Sequence, residues 1–315
     1  MISIIITTKK EPKTLPKAIE AIIKENIVDL EILVVGPDEE TKKITTQFPQ
    51  VKFIKDAGLG KPAALNLVFQ QAQGNILILT DGDVWIEKGS IKKLLEPFTN
   101  EKIGAVTGRP VPINSRKNIF GYWAHFLTNA ADQTRRRKSK RGEYLVCSGY
   151  LYAFRKEAIR NSYICNKFVI GSKETNEAGL IKIPEDTLVE DSIISQLVWQ
   201  NGYQIAYEPE AVVNVKFPTN FSDWLKQKIR STGGYIQKVH TNNDKLIMKK
   251  DDMRGFAQEM GDGLKLFFTY PKSLKEFWWT KLLYLARLYL WLLIFVRIKV
   301  FKKYSWPRVE STKIL

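Results

Sequence analysis

The sequence predicts an α/β fold built on a mostly parallel sheet flanked by helices. Short apolar runs alternate with helix-length segments through the first hundred residues, the pattern of β-α-β units that stack strands side by side and cover them with helices. In addition, an acidic triplet, Asp81-Gly82-Asp83, closes the apolar run NILILT at residues 75–80. An apolar strand cannot carry charge in its middle, so the chain turns polar where it leaves the core, and that edge is where open α/β sheets bind ligands.

Taken in order, Ile2–Ile6 reads as a strand, Leu15–Lys24 as a helix, Glu31–Val35 as a strand, Glu39–Phe48 as a helix, Val51–Ile54 as a strand, Pro62–Ala72 as a helix and Ile76–Thr80 as a strand. Ser90–Phe98 continues as a helix and Gly104–Arg109 as a strand. The basic run Arg135–Arg141 is too dense in charge to pack and is expected as a mobile surface loop. Ser192–Gln200 carries Ile193, Ile194, Leu197 and Val198 on one side and ends at Asn201-Gly202, a helix closed by a glycine cap. No internal repeat or low-complexity linker interrupts the chain.

A chain of 315 residues with 44% hydrophobic content can bury one large domain and carry an appendage. Lys and Arg number 49 against 33 Asp and Glu, a net charge of +16, which calls for an anionic partner: nucleic acid, a phospholipid surface or a phosphorylated substrate. The two cysteines, Cys147 and Cys165, fit buried thiols in a reducing compartment better than a disulfide scaffold. Their spacing suits no zinc site, and the two histidines, His125 and His240, are too far apart to suggest a His-based metal centre. Residues 1–6 read directly as a strand without the basic-then-apolar pattern of a signal peptide, so the expected location of the catalytic part is cytoplasmic. An Asp-x-Asp pair offers hard oxygen ligands to Mg²⁺ or Mn²⁺ carrying a phosphorylated substrate, and equally serves as plain turn chemistry.

Further motifs separate these readings. Residues 3–12, SIIITTKKEP, residues 60–66, GKPAALN, and Asp81-Gly82-Asp83 follow one another in the order and kind of the opening strand, the G-K-x-x-A-L-N motif and the D-x-D motif of family 2 glycosyltransferases. Val189-Glu190-Asp191, with the helix after it and GYQIAYEPEA at 202–211, is similar to that family's E-D segment and its sequel. Gln227-Lys228-Ile229-Arg230 resembles its Q-x-x-R-W motif, with Ser231 in place of tryptophan, and Cys147-Ser148-Gly149 resembles its small-residue turn before the acceptor site. The resemblance spans about Ser3 to Gly233. It departs at Val34-Val35-Gly36-Pro37-Asp38, where many relatives have V-V-D-D, and at Lys9-Lys10, where Tyr-Asn is usual.

The resemblance implies a GT-A fold with a Rossmann-like sheet and an inverting transfer from a nucleotide-diphosphate sugar, with Mg²⁺ or Mn²⁺ at Asp83 and Asp81. It further implies a donor site at Thr7, Glu11, Lys61, Asn66, Asp81 and Gln227, and catalytic roles for Asp191 as base, Glu190 orienting it and Arg230 near the diphosphate. Glu185-Asp186 is a second acidic pair, and the spacing to the following helix favours Asp191. Each residue also has a structural reading: Lys61 and Asn66 as helix residues, Glu190 and Asp191 as favourable charges at a helix N-terminus.

The expected organisation is a catalytic domain over 1–235 and a helical region over 236–315, with a membrane-associated helix at 277–300. Phe277–Val296 is long enough to span a bilayer, but Lys281 and Arg287 interrupt it, and Arg near the centre costs about 2.5–3.5 kcal/mol. Trp278, Trp279, Tyr284, Tyr289 and Trp291 suit an interface, and Arg297, Lys299, Lys302 and Lys303 suit anionic headgroups. The helix is therefore expected to span or lie on a membrane at its cytoplasmic face and bring the site to a lipid-linked or glycan acceptor, packing within the protein being the alternative. Two other function classes compete: a sugar-1-phosphate nucleotidyltransferase, whose glycine-rich loop is absent from residues 7–11, and a nucleic-acid-binding protein, whose known motifs are absent.

Overall fold

A computed structural model describes residues 1–160, 183, 185, 187, 189–240, 265–296 and 309–313, the side chains of 233–240 and 310 excepted. Cys165, Asp186, the His240 side chain, Arg297, Lys299, Lys302 and Lys303 lie outside the described residues. The chain forms two compact units, Met1–Val111 with Arg135–Val215 and Lys313–Leu315, and Pro112–Thr134 with Lys216–Thr312.

The first unit is organised by an eight-stranded sheet: β1 (Ile2–Thr7), β2 (Leu30–Gly36), β3 (Val51–Lys55), β4 (Ile76–Asp81), β5 (Val84–Ile86), β6 (Ile103–Pro112), β7 (Leu151–Arg155) and β8 (Gln204–Val215), in the order β3-β2-β1-β4-β7-β6-β8-β5. From β3 to β4 the strands run parallel, as the β-α alternation requires. Beyond β4 the sheet turns: β7 pairs antiparallel with both β4 and β6, and β5 with β8. β1, β2 and β4 are buried on both faces, which is why they read as continuous apolar runs, whereas the edge strand β3 leaves Lys52 and Lys55 exposed.

Helices α1 (Leu15–Ile23), α2 (Glu39–Thr45), α3 (Lys61–Gln71) and α4 (Ser90–Leu95) form near their expected positions. In α1, Leu15, Ala18, Ile19 and Ile22 repeat at helical spacing and are buried, with proline in the first turn. Asp38 caps α2, accepting from the Thr41 amide at 3.0 Å. α4 tightens into a 3-10 turn at Glu96–Thr99, where Pro97 cannot continue the α-helical ladder. A large core joins Ile5, Leu33, Leu65, Phe69, Leu79 and Phe154 to Ile194 and Leu197 of α6 (Glu190–Gln200).

The basic run is a correction. Arg135–Lys140 forms not a loop but the last turns of α5 (Ile119–Lys140). Arg and Lys are good helix formers and their charge is favourable at a helix C-terminus. The run is also held: Lys138 Nζ donates to the Tyr144 carbonyl at 3.1 Å, and the Tyr207 amide donates to Ser139 Oγ at 2.9 Å.

In the second unit, α7 (Phe221–His240) runs through position 235, and α8 covers Leu274–Ile294. Tyr122, Trp123 and Phe126 of α5 pack with Trp224, Leu266, Leu283 and Ala286. Tyr122 and Thr280 share a hydroxyl hydrogen bond of 2.6 Å, and Arg116 Nε donates to Glu276 at 2.8 Å. Thus α8 buries Thr280, Leu283, Ala286, Leu290 and Ile294, while Leu274, Trp278, Leu282, Leu285, Leu288, Tyr289 and Leu292 are exposed. Among the described residues, no helix is long and apolar enough to cross a membrane.

Candidate active site

Thr7 and Asp81 are register partners at the carboxyl ends of β1 and β4. The Thr7 hydroxyl donates to Asp81 Oδ1 at 2.8 Å. Lys61 opens α3 after Gly60, whose φ of +116° is a turn conformation that favours glycine. Its ammonium lies 2.7 Å from Asp81 Oδ1 and 2.8 Å from Glu190 Oε1. One lysine therefore ties the acidic triplet to the first residue of α6. Burial works against the Lys61 charge, but Asp81 and Glu190 outweigh it and hold the group above the ordinary lysine range. Burial likewise opposes the Asp81 charge, and Lys61 and Thr7 bring its carboxyl below the usual range. Both charges persist because they are paired.

The other end of the triplet meets a different cation. Lys313 Nζ lies 2.7 Å from Asp83 Oδ2 and also pairs with Glu11 Oε1. Thr8 Oγ1 donates to Glu11 Oε2 at 2.9 Å. Burial, then the Asp83 carboxylate, push Glu11 up to about 7 against the pull of Lys313 and Thr8. Gly82 lets the backbone pass this group, since a Cβ there would lie 2.6 Å from Thr8 Oγ1 and 2.8 Å from Glu11 Oε2.

Asp191 follows Glu190 in the first turn of α6, its Oδ1 accepting from the Ser192 amide at 2.8 Å. Ser195 Oγ donates to the Asp191 carbonyl at 2.6 Å and accepts from the Cys147 amide at 2.9 Å, so the Cys147–Gly149 turn is stitched to α6. A Cβ on Gly149 would stand 3.2 Å from Asp191 Oδ2, which accounts for a small residue there. The buried Cys147 thiol is pushed up to about 12, chiefly by burial, and stays a neutral packing group. Tyr152 of β7 is fully buried, its hydroxyl has no hydrogen-bond partner among the described residues, and burial and the Glu190 and Asp191 charges raise its pKa well above the ordinary value.

Thr7, Glu11, Lys61, Asp81, Asp83, Glu190 and Asp191 all lie in the first unit. Asn66 uses both ends of its amide on the backbone of Ile183, at 2.8 Å each. Gln227, buried, and Arg230, half-buried, lie on α7 in the second unit. Glu185 is exposed. Sequence reasoning missed Thr8, Tyr152 and Lys313. The last stands 302 positions from Glu11 in a segment without a motif.

Among the described residues, no three His, Cys, Asp or Glu side chains converge as a metal set. Glu11 and Asp83 nevertheless hold one cation between them, the Lys313 ammonium. Mg²⁺ is commonly held by one or two carboxylates completed by substrate phosphates and water, so this donor set fits a hard divalent ion.

The model of glycosyl transferase family 2 matches residues 3–162. The chain belongs to this family and is a glycosyltransferase. It is similar to a poly-β-1,6-N-acetyl-D-glucosamine synthase of Staphylococcus epidermidis, 25% identical over 243 residues, which are 74% of this chain and 54% of the relative. A synthase of the same description from Staphylococcus aureus (strain COL) is 26% identical over 179 residues, 56% of this chain and 39% of the relative. The chain spans about half or less of the length of these relatives. Among solved structures, the mannosyltransferase PcManGT of Pyrobaculum calidifontis, in complex with GDP-Man and Mn²⁺, aligns with a TM-score of 0.63 at 15% identity, covering 96% of this chain and 88% of that one. S. aureus TarS (residues 1–349) aligns at 0.51 with 15% identity, covering 87% and 76%. These likenesses show the GT-A fold.

Proposed function

We propose that this glycosyltransferase moves a sugar from a nucleotide-diphosphate donor to a lipid-linked or glycan acceptor, inverting the anomeric carbon. The observation that carries this reading is Lys61, which joins Asp81 of the triplet to the buried Glu190, beside Asp191, in one cluster. Asp83 is the proposed ligand of Mg²⁺ or Mn²⁺. When bound, that ion supplies positive charge to the leaving diphosphate. Lys61 and Thr7 fix Asp81 beside the donor, and Glu190, buried against Lys61, fixes the start of α6. Asp191, held by the Ser192 amide and backed by Gly149, takes the proton of the acceptor hydroxyl as that oxygen attacks. Gln227 and Arg230 are assigned to the donor diphosphate on the motif alone. The mannosyltransferase solved with GDP-Man and Mn²⁺ supports a nucleotide-sugar donor and a metal, and the glucosamine-polymer synthases support a glycan product.

The acceptor is proposed to be met at the cytoplasmic face of a membrane. The exposed row Leu274, Trp278, Leu282, Leu285, Leu288 and Leu292 along α8 suits a helix lying in the bilayer surface. Lys275 and Lys281 sit over the rings of Trp279 and Trp278, each at 4.8 Å, an arrangement that keeps cationic heads beside interfacial aromatics.

The test is a panel of sugar nucleotides with Mg²⁺ or Mn²⁺, read by thermal shift and by transfer or donor hydrolysis. One donor should bind in the wild type and fail in Asp83→Ala. Asp191→Asn should keep donor binding and lose about 10²–10⁴-fold in transfer. Absence of binding by every donor, or an unaltered Asp83→Ala protein, overturns the reading.

A further inference from the structure

The two aspartates of the triplet are committed differently. Asp81 Oδ1 receives both Thr7 and Lys61, so that oxygen is committed to the frame. Asp83 faces Glu11 instead, and the cation between them among the described residues, Lys313, comes from the far end of the described chain. Thr8 orients the other Glu11 oxygen, and the missing Cβ of Gly82 brings the triplet's backbone up against Glu11. The result is a small, built cation pocket of two carboxylates, with an internal ammonium as its occupant.

We infer that Glu11 and Asp83, rather than the two aspartates of the triplet, form the cation pocket of this enzyme, and that Lys313 is an exchangeable counter-ion which a divalent cation displaces. The inference rests on the proposed metal-dependent donor site and names its second ligand and its resident competitor. Mutual exclusion follows from distance. Lys313 Nζ is 2.7 Å from Asp83 Oδ2, whereas Mg²⁺ needs carboxylate oxygens at about 2.0–2.1 Å, so both cations claim the same oxygens. Charge argues for exchange rather than for permanent occupation by lysine. A single ammonium leaves the paired carboxylates under-compensated, and a divalent ion answers both while adding affinity for a diphosphate. With no ion bound, Lys313 spares the protein an uncompensated pair of carboxylates, one buried and one half-buried. The carboxyl-terminal segment around Lys313 is thereby linked to the state of the cation site: held when the pocket lacks a metal ion, released when it is loaded.

The full chain is titrated with Mn²⁺, following free Mn²⁺ by electron paramagnetic resonance, for wild type, Lys313→Ala, Lys313→Gln and the double variant Lys313→Ala with Glu11→Gln. Losing the internal competitor should tighten Mn²⁺ binding about tenfold in both lysine variants, since apparent affinity scales with the competent fraction. Adding Glu11→Gln should reverse the gain. In parallel, amine acetylation mapped by mass spectrometry should label Lys313 severalfold faster in wild type once Mn²⁺ is present, with Lys61 unchanged. Equal Mn²⁺ affinity in wild type and the lysine variants, with unchanged labelling, overturns the exchange and leaves the donor site standing. Weaker binding by the lysine variants also overturns it, making Lys313 a helper of the metal. Donor binding without Mn²⁺ binding by any variant overturns the metal reading and the exchange together.

Discussion

Gly149 sets the room available to Asp191. A methyl group there would stand 3.2 Å from Asp191 Oδ2, close enough to push the carboxylate by a few tenths of an ångström. Gly149→Ala is therefore expected to lower kcat about tenfold or more while leaving donor KM nearly unchanged, because small misplacements of a reacting group are costly. Steady-state kinetics with the donor found in the screen checks this, and a change confined to KM contradicts it. Several residues of the candidate site are legible from the sequence alone. Lys61, Asp81, Glu190 and Asp191 stand in motifs whose order along the chain marks them together. Lys313 is not legible, because its partners are 302 and 230 positions away and nothing local marks it. Asn66 shows the reverse case: it stands in a motif, and the contacts it makes are with the frame at Ile183.

Elements differ in how openly the sequence declares them. β1, β2 and β4 are plain because strands buried on both faces are apolar throughout, and β3 is plain through its alternation of apolar residues with Lys52 and Lys55. β5 has three residues, and β8 carries Pro209 and two glutamates, so neither has that signature although both complete the sheet. The end of α5 is hidden because its charge density suggests a loop, while the aromatic residues anchoring the helix lie two turns or more upstream. α7 offers a test by pH. Burial alone would raise Asp223, but the Ser311 amide at 3.0 Å, Lys226 at 3.2 Å and Asn220 at 3.3 Å outweigh it and bring it to about 2 from an ordinary 3.8. A depressed carboxyl stabilises the fold above its unfolded pKa and loses that contribution as pH falls through the folded one. The melting-temperature difference between wild type and Asp223→Asn should hold from neutrality down to about pH 4 and vanish toward pH 2. A difference independent of pH across that window would show that Asp223 acts only through packing.

At the scale of the molecule, a net charge of +16 accompanies an exposed apolar row on α8. Vesicles containing anionic lipid should sediment the protein, neutral vesicles should do so less, and salt should weaken the attraction to anionic vesicles as screening sets in. Leu285→Glu with Leu292→Glu should abolish sedimentation without changing donor binding. Retention by the double variant would sink the proposed role of α8. The eight strands also fix when the site comes into being. A chain emerging from its N-terminus lays down Lys61 and Asp81 early, but Glu190, the second carboxylate on Lys61, and the strands β7 and β8 come much later, and Lys313 later still. Nascent fragments ending before α6 hold Lys61 and Asp81 without Glu190, Asp191 or the strand β8, so this unit is expected to complete its active mouth last. Catalytic competence should then arise late in synthesis, not grow in step with chain length.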